Sequence, residues 1–139
     1  MSRAARGPAL VTCALLTAIV AGCGQDTERD EARAVVERFT AAVRADRGRD
    51  ACAQLSVAAS DQLEGQSGEP CSVAVTRLRL ETGAVLGTHL YVTNAKVDLR
   101  GGQSAFLGRE PRGWRLTAVG CHPVDGEPRD RPFDCELES

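Results

Sequence analysis

The cysteines carry the clearest chemistry in this sequence, and Cys23 stands in the most informative context. It follows the small residues Ala21 and Gly22 at the end of an apolar run over residues 8–20, which Arg3 and Arg6 precede. A basic start, a short apolar run and a small-residue end are typical of a secretory signal peptide. The run has 13 residues, and a transmembrane helix needs about 20. We therefore favour a signal peptide over a membrane span.

The segment Val20-Ala21-Gly22-Cys23 resembles the lipobox of bacterial lipoproteins. The resemblance implies that residues 1–22 are removed and that the Cys23 thiol carries diacylglycerol with fatty acids such as palmitate. Two acyl chains hold a protein stably on a membrane, whereas one does not. We expect a lipid-anchored protein on the outer face of the cytoplasmic membrane, in the cell envelope. The alternative is ordinary secretion after cleavage near Ala21, with a free thiol at Cys23.

Four further cysteines follow in the exported part of the chain: Cys52, Cys71, Cys121 and Cys135. An even number in an exported protein predicts disulfide bonds, here two. Three pairings are compatible with the sequence, and the most economical is Cys52–Cys71 with Cys121–Cys135. We predict no metal site, because no pair of cysteines has the CxxC spacing and the chain has two histidines.

The charge of the chain limits the classes of partner. Loss of Arg3 and Arg6 takes the formal net charge from −2 to −4, and no basic run remains. Nucleic-acid binding needs clustered Lys and Arg, so we do not expect it. The same argument excludes a second, electrostatic attachment to anionic lipids. No nucleotide-binding or hydrolase motif is present, and we predict no cofactor and no catalytic residue.

The periodicity of apolar residues predicts helices first and strands afterwards. Apolar residues recur at helical spacing over residues 28–45, after a short tether at residues 23–29 that follows the signal peptide. Asp50 is expected to cap a second helix and Pro70 to begin a third. The period changes to two after Gly83, and Gly101-Gly102 marks a hairpin. Residues 30–139 thus form one α+β domain, with N-terminal helices packed on a curved antiparallel sheet.

Several stretches resemble the NTF2-like (cystatin-like) superfamily, and more narrowly small actinobacterial lipoproteins of unknown function. They are residues 34–42, 51–56 and 106–109, then Gly113-Trp114-Arg115-Leu116-Thr117-Ala118-Val119-Gly120-Cys121 and Phe133-Asp134-Cys135. The resemblance implies a cone-shaped fold that hosts enzymes, binding modules and assembly domains alike.

Asp98, His89 and Tyr91 are the candidates for an isomerase or dehydratase site inside such a cone. Such enzymes need these side chains between the helices and the sheet. Because Ala95, Val97 and Leu99 alternate with Lys96, Asp98 and Arg100, we expect Asp98 to face away from the helices. His89 and Tyr91 are expected on that same polar face, opposite Leu90 and Val92. A one-residue slip in strand pairing would reverse the assignment.

The remaining candidates have simpler interpretations. We expect Trp114 in the core beside Phe39 or Phe106, with stacking on a ligand as the alternative. His122 is expected in a turn beside a disulfide. The acidic residues near the C-terminus do not match a calcium loop and indicate a charged surface loop; they are Asp125, Glu127, Asp130 and Asp134.

Three functions fit this sequence. We favour a non-enzymatic module that binds an apolar small molecule or a partner protein of the envelope. An assembly module that forms a homodimer through its sheet face is the second, and an isomerase or dehydratase is the third.

Overall fold

The computed structural model describes residues 23–124 and 133–139 of the chain. The leader at residues 1–22 and the acidic loop that contains Asp125, Glu127 and Asp130 lie outside the described residues. Within them the protein is a mixed α+β structure, in which helices pack on one face of an open antiparallel sheet. The α+β class predicted from the sequence is confirmed.

Four helices of different lengths precede the sheet. They are α1 (Cys23–Arg44), α2 (Gly48–Cys52), α3 (Val57–Ser67) and α4 (Cys71–Ala74), the last continued by a 3₁₀ turn at Val75–Arg77. The sheet contains β1 (Val85–Leu90), β2 (Asn94–Leu99), β3 (Ser104–Glu110), β4 (Gly113–Pro123), β5 (Phe133–Asp134) and β6 (Leu137–Glu138). Strands β1 to β4 pair with their neighbours in chain order, and β5 and β6 both pair with β4.

The first helix begins earlier than the sequence predicts. It starts at Cys23, so residues 24–29, predicted to be a tether, are its first turns. Two contacts made by residues of this segment account for the difference. Asp26 forms an ion pair with Arg29 at 2.9 Å, and Glu28 accepts a hydrogen bond from the indole of Trp114. Residues 24–29 therefore belong to the folded domain.

The second and third helices also differ from the prediction. Asp50 lies inside α2 and does not cap it. The cap in this region is Ser56, whose Oγ accepts a hydrogen bond from the Ala59 amide at 3.0 Å and starts α3. Gly68 ends α3 in the left-handed conformation. Pro70 is the cap before α4 and not its first residue, so this helix begins one residue later than expected, at Cys71.

The core lies between the helices and one face of the sheet. Its fully buried side chains are mostly aliphatic: Val36, Val75, Val97, Leu107, Leu116, Val119 and Leu137. Alternation along each strand sends one set of side chains into this core and the other set to the opposite face. Ala95, Val97 and Leu99 are buried on the helix side, as their spacing predicts.

The β1–β2 connection contains the clearest error of the sequence prediction. The alternation of Leu90 and Val92 predicts that both face the core, but Val92 is 99% exposed. The chain reverses here, and the Tyr91 amide donates a hydrogen bond to the Asn94 carbonyl at 2.7 Å. Because β1 ends at Leu90, the alternation of Leu90 and Val92 does not continue through the turn.

Candidate functional site

The candidate site is a groove of about 1050 Å³ on the sheet face that points away from the helices. We call this surface the outer groove. Its floor comes from β2, β3 and β4, and the C-terminal segment that follows β5 forms one wall. Residues along it include Leu86, Lys96, Asp98, Ser104, Phe106, Thr117, Phe133 and Glu138. The volume lies just above the usual range for small-molecule pockets, about 300–1000 Å³.

A polar cluster around Asp98 occupies one end of this groove. Ser104 Oγ donates a hydrogen bond to Asp98 Oδ1 at 2.8 Å, and Lys96 Nζ lies 2.9 Å from the same oxygen. His89 Nε2 lies 3.0 Å from the other oxygen, Oδ2. Strand register explains the grouping, since His89 pairs with Lys96 and Asp98 pairs with Ser104. The expected outward direction of Asp98 and His89 is confirmed.

The electrostatics of this cluster favour an ionised carboxylate. Partial burial by itself raises the pKa of Asp98, but hydrogen bonds from Lys96 and Ser104 and the charge of Lys96 outweigh it. The contact with His89 acts in the same direction, and the pKa of Asp98 lies below its ordinary value. A carboxylate with a lowered pKa and three partners is a poor general base.

Two aromatic side chains form the apolar part of the groove. Phe106 and Phe133 meet edge to face, with ring centroids 4.9 Å apart, and Lys96 Nζ lies 5.4 Å from the Phe133 centroid. Phe106 lies where the pairing of β3 with β4 shifts register, and such shifts bend a sheet. The outer groove thus joins an aromatic surface to a charged cluster through Lys96.

The two disulfide bonds predicted from the sequence are present, in the economical pairing. Cys52–Cys71 joins α2 to α4 on the helix side of the domain. Cys121–Cys135 joins β4 to the C-terminal segment, and Cys135 lies along the outer groove. The second bond therefore holds one wall of the candidate site.

Trp114 occupies the helix side of the sheet, as expected, in the same core cluster as Phe39. It is buried, and its Nε1 donates a hydrogen bond to Glu28 Oε2 at 2.9 Å. The Arg109 guanidinium lies 5.4 Å from the Trp114 ring and contacts Glu28 and Glu31 at 2.6 and 3.2 Å. Phe106, one of its expected partners, lies on the outer face with Phe133.

His122 lies in β4 and not in a turn, because this strand runs on to Pro123. Its Nε2 is 3.1 Å from Gln103 Nε2. Gln103 is a buried polar residue that the sequence interpretation missed. Its side chain donates to the Arg79 carbonyl and accepts from the Glu81 amide, at 3.0 and 2.6 Å. It follows the Gly101-Gly102 hairpin, but glutamine after a turn gives no signal of such a role.

The remaining expectations concern metals, the polar face of β2 and the membrane. Asp134 lies in β5 opposite His122, and no group of residues suited to hold a metal ion occurs in the described parts of the chain. Arg100 is exposed just after β2. Over residues 23–124 and 133–139, no helix has the length and apolar character that a membrane crossing requires.

Comparison of the chain with protein-family models, with curated proteins and with solved structures found no match. The NTF2-like resemblance and the lipoprotein interpretation therefore stay predictions from the sequence.

Proposed function

We propose that this protein is a lipid-anchored, non-enzymatic binding module on the outer face of the cytoplasmic membrane, with the outer groove as its binding site. The groove is the observation that carries the binding role. It combines the Phe106–Phe133 pair with the Asp98 cluster in one concavity, and ligand sites commonly pair apolar walls with a few fixed polar groups. The occupant that fits is a small molecule with an apolar body.

The proposed anchor rests on the leader sequence, and the two disulfides are consistent with export from the cytoplasm. Disulfides persist in oxidising compartments, and the bonds of this domain are Cys52–Cys71 and Cys121–Cys135. When cells that make the full chain are fractionated, the wild-type protein should be found with the membranes, and the Cys23→Ala variant should be lost from that fraction. Cys13→Ala is the matched control, because Cys13 leaves with the proposed signal peptide. Retention of the Cys23→Ala protein in the membrane fraction would contradict the anchor.

The groove can be tested with the fluorescent probe anilinonaphthalene sulfonate, which binds exposed apolar surface. Phe106→Ala removes one aromatic wall and should weaken binding by about tenfold or more, because burying a phenylalanine side chain stabilises by about 1.5–3 kcal/mol. Val57→Ala is the control, since Val57 is exposed on α3. Circular dichroism should confirm that both variants fold. Equal affinities of the two variants for the probe would show that it binds outside the outer groove.

An enzyme of the isomerase or dehydratase type has less support. Asp98 and His89 lie on the sheet face away from the helices, and not inside a cone. The hydrogen bonds that lower the pKa of Asp98 further reduce its use as a base.

A homodimer through the sheet face is the second candidate, and one observation favours it. Leu86 is 65% exposed on β1, an edge strand, beside the outer groove. Exposed edges and apolar side chains pair readily with a second copy. Sedimentation of the wild-type protein against Leu86→Asp separates the two functions, because a dimer should dissociate in the variant.

A further inference from the structure

A second concave surface lies at the end of the domain where α1 begins. It is a hollow of about 590 Å³ between the first turns of α1 and the β1–β2 turn. The residues that line it are Gly24, Gln25, Glu28, Leu90, Tyr91, Val92, Arg109 and Trp114. We call this end of the molecule the anchor end, because Cys23 is the first residue of α1.

Two adjacent large hydrophobic residues project from the anchor end. Val92 is 99% exposed and Tyr91 is 60% exposed, and Val92 is the most exposed of the large hydrophobic residues that the structure describes. Single exposed apolar residues are ordinary, but an aromatic and an aliphatic residue side by side at the tip of a turn form a continuous apolar patch. Tyrosine is enriched where membranes meet water, because its ring is apolar and its hydroxyl polar.

The start of α1, next to Cys23, lies at the same end of the domain as this apolar patch, because Gly24 and Val92 line one hollow. α1 is helical from Cys23 onward, so Glu28 lies about 8 Å from Cys23 along the helix. Glu28 in turn contacts Trp114 and Arg109 on the sheet. A lipid carried at Cys23 would therefore join the folded domain without a flexible spacer.

Charges at the anchor end do not oppose approach to a lipid surface. The carboxylates of Glu28 and Glu31 both contact the Arg109 guanidinium, and Asp26 pairs with Arg29. Paired charges cost less to bring near a low-dielectric medium than isolated ones. The cations Arg29 and Arg109 are thus paired with acids of the described helix α1, so the proposed contact is apolar and does not depend on lipid charge.

We propose that Tyr91 and Val92 dock on the bilayer surface beside the lipidated Cys23 and fix the orientation of the domain. This inference rests on the proposed lipid anchor. Apolar surfaces that dock in this way sink about 5–10 Å into the boundary between headgroups and acyl chains. In that orientation Trp114, which lines the same hollow, lies close to the lipid. Tyr91 lines both the hollow and the outer groove, so docking places part of the groove beside the membrane.

The chain supplies its own probe, because Trp114 is its single tryptophan. The experiment uses the full lipidated protein in phosphatidylcholine vesicles with or without bromine on the acyl chains, which quenches tryptophan at short range. Trp114 is buried but lines the hollow, so docking brings it close enough to be quenched. Docking predicts flotation with the vesicles and loss of Trp114 fluorescence in brominated lipid. Val92→Asp should still float but recover fluorescence, whereas the matched Val57→Asp should be quenched like the wild type. Both valines are exposed, so neither change should unfold the domain.

Each contrary outcome identifies the step that fails. A protein that does not float lacks the anchor, and both proposals fall. A protein that floats without quenching keeps the anchor and overturns the docking, and leaves the turn exposed to other partners. Equal quenching of Val92→Asp and Val57→Asp also overturns it, because the β1–β2 turn would then not be the contact.

Discussion

Trp114 Nε1 donates a hydrogen bond to Glu28 Oε2 at 2.9 Å and so joins the start of α1 to the start of β4. The two residues are 86 positions apart in the sequence. Arg109 Nη1 contacts the same carboxylate oxygen at 2.6 Å. One carboxylate thereby fixes the first turns of the leading helix to two strands, at the end of the domain that begins with Cys23.

Glu28→Ala should lower the free energy of unfolding by about 1 kcal/mol, because the hydrogen bond to a charged acceptor is partly exposed and the ion pair is screened by water. Urea unfolding followed by circular dichroism measures the change. Asp30→Ala is the control, as an exposed acid on the same helix. Equal stabilities of the two variants would show that the Trp114–Glu28 contact contributes nothing.

Gly48→Ala should destabilise the domain by about 1–3 kcal/mol, the usual cost of overpacking. A Cβ atom at Gly48 would collide with the carbonyl group of Ser72, whose carbon would lie 2.6 Å away. This close approach brings α2 onto α4, the helices that the Cys52–Cys71 bond joins.

Gly65→Ala is the matched control for this substitution. Gly65 lies in α3, and a Cβ atom there would meet nothing within 4 Å. Alanine is favoured over glycine in a helix by about 0.5–1 kcal/mol, so Gly65→Ala should be neutral or stabilising. Gly48→Ala should therefore lower the melting temperature, whereas Gly65→Ala should leave it unchanged or raise it. An equal loss in both variants would contradict the packing argument.

Local sequence signals predicted most of the fold. The spacing of Ala95, Val97 and Leu99 gave the buried face of β2, and with it the outward direction of Asp98. The count and spacing of the cysteines predicted both disulfides. These features depend on alternation and on short stretches of chain, which a sequence displays directly.

The errors occur where distant residues decide the structure. Residues 24–29 appear polar and unstructured, but Trp114 and Arg109 stabilise them as helix through Glu28. Gln103 has no local signal, yet it is buried with Arg79 and Glu81 as partners. The outer groove depends on Phe133 folding over β3, a contact that the C-terminal segment makes through tertiary packing.

The two disulfides should have different effects on binding in the outer groove. Replacing both cysteines of either pair by serine should cost about 3 kcal/mol of stability in the chain-entropy model. Loss of Cys121–Cys135 also frees the wall that carries Phe133, so probe binding should weaken in that variant. Loss of Cys52–Cys71 should leave binding unchanged, because that bond lies on the helix side. Titration of anilinonaphthalene sulfonate into both double variants, under conditions where each is folded, tests the difference.

Acid should selectively remove the stabilisation that the Asp98 cluster provides. The pKa of Asp98 is lowered in the folded protein, so its contacts stabilise the fold above the unfolded pKa, about 3.9. That contribution is lost as the pH falls below this value and through the folded pKa.

Asp98→Asn tests this, because asparagine keeps the size of the side chain but removes its charge. The difference in unfolding free energy between wild type and variant should be constant near pH 7 and shrink below about pH 4. Asp61→Asn, at an exposed acid on α3, is the control and should show a smaller difference at every pH. If the Asp98→Asn difference persists unchanged at low pH, then the carboxylate of Asp98 does not stabilise the fold through its contacts with Lys96, Ser104 and His89.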